Sequence, residues 1–100
     1  MTPMSNRLLE RRLRSIGRRI AQVREEIAVA DEQLEHFTTD ADDARIRALV
    51  SETPISDIEH RQAERHATAM ARHREELVQT IARLEREQDD LLDKLAARKG

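Results

Sequence analysis

From Leu9 onward, apolar side chains recur at Leu13, Ile16, Ile20, Val23, Ile27, Ala30, Leu34 and Phe37, in steps that alternate four and three. A mean step of about 3.5 residues is the period of a supercoiled helix rather than of a strand. The second half repeats the pattern at Ala63, Ala67, Met70, Arg74, Leu77, Ile81, Leu84, Gln88, Leu91 and Leu95, with Arg74 and Gln88 as polar intrusions. Glu, Arg, Leu and Ala, all good helix formers, fill most positions between. Two long helices are predicted.

The two seams fit each other when one is reversed. Residues whose numbers add to 104 pair Leu9 with Leu95, Leu13 with Leu91, Ile20 with Leu84, Ala30 with Arg74 and Phe37 with Ala67. Every seam position finds a seam position, and sizes complement at two of the pairs, where the large Phe37 faces Ala67 and the long Arg74 faces Ala30. Charge makes the same choice independently. Residues 5–24 carry seven Arg against Glu10, and residues 25–43 carry eight acids with no Lys or Arg. The reversed pairing sets the first segment beside Glu85, Glu87, Asp89, Asp90 and Asp93. It sets the second beside Arg61, Arg65, Arg72 and Arg74. A parallel in-register dimer would stack like charges together. The predicted fold is all-α, a long antiparallel coiled-coil helical hairpin.

The pairing turns at Glu52, inside the stretch RALVSETPISDIEHR (Arg47–Arg61). Thr53 suits a helix N-cap with Pro54 as the first helical residue, where a missing N–H is harmless. Ser56 with Glu59 offers an alternative start one turn later. Arg98, Lys99 and Gly100 suit the C-terminal end of the second helix. Near the turn the apolar pattern changes. Strict alternation would put Ala44, Ala48, Ser56 and His60 in the seam, yet the bulky residues are Ile46, Leu49, Ile55 and Ile58. The apolar stripe is therefore expected to change face there. TTDADDA (Thr38–Ala44), rich in residues that favour caps over helix interiors, is expected to break or kink the first arm. The expected organisation is a first arm over 5–38, a short distal helix or kink over 40–50, a tip at 51–54 and a second arm over 54–99.

Composition narrows the function. Charged and hydrophobic residues each make up 38% of the 100-residue chain, and Phe37 is its one aromatic, so no thick core that would enclose a pocket is expected. Cysteine is absent, which excludes disulfides and thiolate metal sites. No apolar run approaches the roughly 20 residues of a membrane span, and no signal-peptide core begins the chain, so a cytoplasmic location is expected. Sixteen Arg against two Lys, with 13 Ala, suit a high-GC bacterial genome. The histidines His36, His60, His66 and His73 include one acid-x-x-His spacing, Asp57–His60, without the partner motif a di-iron bundle needs. No phosphate loop or nucleophile elbow is present. Neither enzyme, cofactor nor metal is expected.

Two regions are candidates for the working surface. The tip offers Leu49, Val50 and Ile55 as apolar anchors, rimmed by Arg45, Arg47, Glu52 and Asp57. The bland alternative is that these aliphatics only close the hairpin. The arm RLLERRLRSIGRR supplies Arg7, Arg11, Arg12, Arg14, Arg18 and Arg19, a basic patch suited to nucleic acid or an anionic surface. Its bland alternative is pairing with the acidic second arm, and the near-zero net charge of −2 and the missing aromatics weaken nucleic-acid binding.

In architecture, the hairpin and its polar turn resemble the coiled-coil hairpin of bacterial factors that enter the secondary channel of RNA polymerase. The acidic DADD (Asp40–Asp43) resembles their acidic tips, although it sits below the turn and no second domain follows. That resemblance implies a protein-interaction module, with RNA polymerase as a partner and transcription regulation as a role. RALVSETPISDIEHR resembles small helical proteins of high-GC Gram-positive bacteria, which implies no activity. The alternatives are a structural scaffold for division, envelope or phage assembly, as monomer or homodimer, and nucleic-acid binding through the arginines.

Overall fold

A computed structural model describes residues 5–99. The expected C-cap at Gly100 lies outside them. Two helices of 46 residues each, α1 (Asn6–Ser51) and α2 (Pro54–Lys99), form an antiparallel helical hairpin. Ser5 caps α1, accepting the Leu8 N–H at its Oγ (3.2 Å) and the Leu9 N–H at its carbonyl (2.9 Å).

Residues Glu52 and Thr53 alone separate the helices. Glu52 adopts a left-handed φ of 52° and donates its N–H to the Ala48 carbonyl at 3.0 Å, closing α1 with a single five-residue turn. Thr53 opens α2. Its Oγ1 accepts the Ser56 N–H at 3.2 Å, and its own N–H donates to Ser56 Oγ at 3.3 Å. This reciprocal box starts the helix at Pro54, so the later start with Glu59 is not used. Left-handed backbone costs a non-glycine residue about 1–2 kcal/mol, and glycine's greater freedom when unfolded returns part of that. Glu52→Gly should therefore raise the thermal midpoint by a few degrees. A lower midpoint would mean that the Glu52 side chain contributes more than its backbone costs.

Packing falls into two units, residues 1–26 with 77–100, and residues 27–76. In the first, Leu9, Ile16, Ile20 and Leu91 form a buried cluster, and Leu13, Ile81, Leu84 and Leu95 pack against it. These are the seam positions that the reversed pairing brings together. Near the ends of the helices, Arg98 Nη1 reaches Asn6 Oδ1 at 3.5 Å. In the second unit the seam holds more small residues, and its large ones, among them Ile27 and Leu34, are half-buried rather than buried. Ala30, Ala44 and Ser56 are buried, and Phe37, Ala41, Ala48, His60, Ala63, Ala67 and Met70 are half-buried. The Phe37 ring lies against His66, with centroids 5.8 Å apart and planes at 58°. Charge supports the same pairing: Arg12 bonds Glu87 in the first unit, and Arg74 bonds Asp31 in the second. The guanidinium of Arg74 thus leaves its seam position to meet an acid on the opposite arm.

Two expectations are corrected. The first arm does not break, because α1 is helical without interruption through Thr38–Asp43, and there is no separate distal helix. Thr38, Thr39, Asp40, Asp42 and Asp43 are all exposed, where poor propensity costs less than about 1 kcal/mol each. Ala41 and Ala44 keep the seam on its partner, and packing outweighs propensity. Nor does the stripe change face. Ala44, Ala48, Ser56 and His60 continue it to the turn, and the bulky aliphatics point elsewhere.

Candidate functional site

The displaced aliphatics surround the turn. Ile46 is 51% exposed, Leu49 67%, Val50 81%, Ile55 69% and Ile58 46%. All five take outer positions of the heptad, because Ala44, Ala48 and Ser56 already hold the inner ones. Single exposed apolar residues are ordinary, but five within thirteen positions form a concentration. Arg45, Arg47, Glu52 and Asp57 are exposed among them, and Asp57 stands in the first turn of α2. The box between Thr53 and Ser56 fixes this turn, so the aliphatics stand on helical backbone rather than on a loose loop. Ile46 and Ile58 belong to the surface as well. Their outer heptad positions are the sign of it in the sequence.

The six candidate arginines separate into two sets. Arg12 bonds Glu87 through both Nε (3.1 Å) and Nη2, and Arg19 reaches Gln22 (3.1 Å) and Glu26 (3.5 Å). Arg7, Arg11, Arg14 and Arg18 are exposed and have no hydrogen-bond or ion-pair partner among the described residues. Pairing with the acidic arm therefore accounts for Arg12 and leaves these four untouched. The units differ in charge accordingly. The first holds twelve basic against eight acidic side chains (+4), and the second six against twelve (−6).

Three of the four histidines have local contacts. His36 faces Asp40 at 3.3 Å, His60 faces Glu64 at 2.9 Å, and His66 lies on Phe37. Among the described residues no three His, Asp or Glu side chains gather in a way that would hold a metal ion, and no helix is long and apolar enough to cross a membrane. Asp57 and His60 are not brought to a shared site by any recorded contact. Comparison with known protein families, curated proteins and solved structures gives no match. The fold and the surface chemistry carry the functional reading.

Proposed function

We propose that this chain is a non-enzymatic interaction module that presents the aliphatics around its turn to a protein partner in a large assembly. The observation that supports this reading is the exposure of Val50 and Ile55 (81% and 69%) beside a seam already filled by Ala44, Ala48 and Ser56. The aliphatics are not needed to close the hairpin. Each fully buried by a partner would contribute about 1.5–3 kcal/mol, which is the scale of a binding hot spot. The charged rim of Arg45, Arg47, Glu52 and Asp57 would orient the contact more than strengthen it. RNA polymerase is the first partner to test, on the architectural resemblance of the hairpin.

Val50→Ser combined with Ile55→Ser should reduce capture of purified RNA polymerase, or of other partners in a lysate, at least tenfold. Helical content and melting temperature should stay close to wild type, since neither side chain is packed. Arg11→Gln with Arg18→Gln, remote in sequence from the turn, should capture normally. A tip variant that binds like wild type would move the working surface off the turn and favour a scaffold role along the helices.

A further inference from the structure

The four unpartnered arginines define a second surface, independent of the turn. Arg7, Arg11, Arg14 and Arg18 follow each other at steps of four, three and four. At about 100° per residue they lie within about 60° of one another and roughly opposite the buried seam of Leu9, Ile16 and Ile20. The result is a ridge about 16 Å long, at about 1.5 Å per residue, pointing straight away from α2. Glu10 flanks it, three residues from Arg7 and four from Arg14, and the next charged side chain on this face is Glu25. Leu8, Ser15 and Arg12 line a shallow groove beside Arg11 and Arg18, so a hydroxyl donor stands among the guanidinium groups.

We infer that this ridge binds the phosphate backbone of double-stranded nucleic acid. Four like charges held together on one helix destabilise the free protein slightly; Glu10, three residues from Arg7 and four from Arg14, offsets part of this at one end, and no ion pair with any of the four forms among the described residues. A polyanion would relieve the rest. A duplex offers a phosphate about every 3.4 Å of helix axis on each strand, so a ridge about 16 Å long faces several phosphates at once. The planar guanidinium also suits phosphate better than an ammonium does, because it donates two parallel hydrogen bonds.

Competing occupants fit less well. A second copy of the chain offers Asp89, Asp90 and Asp93 on α2, which fill about one turn and follow Arg83 and Arg86. That acidic patch is too short for a three-turn ridge and would set arginine against arginine. The acidic run over 25–43 is longer, but its acids at outer heptad positions, Glu25, Glu32, Glu35 and Asp42, are spaced seven, three and seven against the ridge's four, three and four, so it cannot meet all four arginines at once. A membrane surface calls for apolar side chains on the same face, and here Leu8 stands alone at the edge. Single strands are held by stacking on aromatics, and the one aromatic, Phe37, lies in the other unit. Binding through phosphates alone carries no base readout, so the recognition is independent of sequence.

The test is fluorescence anisotropy of a labelled 20-base-pair DNA duplex with the full chain. With about four phosphates neutralised, affinity should fall roughly 100-fold between 50 and 200 mM salt. Arg11→Gln with Arg18→Gln should bind at least tenfold more weakly at the lower salt, and its fall should shrink to about tenfold. Arg45→Gln with Arg47→Gln, which changes the turn but not the ridge, should bind as wild type. Circular dichroism of all three proteins checks that the helices are unchanged. The inference is overturned if the wild type does not bind duplex at 50 mM salt, or if the ridge variant matches it. It is also overturned if poly-glutamate displaces the duplex as readily as unlabelled duplex does, which would assign the ridge to an acidic protein. Preferential binding to vesicles of phosphatidylcholine with phosphatidylglycerol would assign it to a membrane surface instead. Loss of duplex binding in the ridge variant leaves partner capture by the turn unaffected, so the two readings fail separately.

Discussion

Ile20→Asp should abolish most of the helical signal of this protein at room temperature. Ile20 is 4% exposed and belongs to the cluster with Leu9, Ile16 and Leu91. The substitution removes about 1.5–3 kcal/mol of apolar burial. It also leaves a carboxylate without a partner among aliphatics, which costs several kcal/mol more. Domains of this size are stable by about 5–15 kcal/mol, so the combined loss approaches the whole. Far-UV circular dichroism and a thermal melt read the outcome. Ile20→Leu, close in volume, should cost less than about 1.5 kcal/mol and serves as the control. A midpoint within about 5 °C of wild type for the aspartate variant would sink the seam as described.

The second large effect tests where the seam runs near the turn. Ala44 is 3% exposed on the inner side of α1, and Leu49 is 67% exposed on the outer side. Ala44→Leu forces a larger side chain into a filled position at a cost of about 1–3 kcal/mol. In a chain of this length that lowers the midpoint by roughly 5–15 °C. Leu49→Ser, though it removes an aliphatic, should change stability by no more than about 0.5 kcal/mol. The opposite ranking would restore a stripe that changes face, with Leu49 inside and Ala44 outside.

That pair of residues also marks where the sequence was legible and where it was not. The alternation of fours and threes from Leu9 to Phe37 and from Ala63 to Leu95 identified both helices, because few other patterns repeat every 3.5 residues. The reversed pairing followed from size and charge together, and the contacts of Arg12 with Glu87 and Arg74 with Asp31 agree with it. The Thr53–Pro54 start of α2 was legible because cap chemistry is local. Around Ile46 and Ile58 the bulk of the side chains is a false sign of burial. That inference runs one way only: cores are apolar, yet apolar residues are not always core. Periodicity alone, kept through Ala44 and Ser56, gave the correct seam. The arginines were legible as a patch but not as two sets. Only the heptad positions, with Arg12 flanking the seam and Arg11 opposite it, separate those that pair within the chain from those that do not.

The unequal filling of the two units also bears on the way the chain comes together. Arg74 and Asp31 are 43 residues apart in sequence, and Asn6 and Arg98 are 92 apart. Closing the longer loop costs only about 0.7 kcal/mol more than closing the shorter one. Burying a single leucine contributes about 1.5–3 kcal/mol, and the unit that holds Asn6 and Arg98 is the one rich in leucine and isoleucine. The contacts most distant in sequence are therefore also the ones best able to offset the entropy of their own closure. The tight turn at Glu52 and Thr53 guides the chain back on itself, but the drive to close comes from the ends.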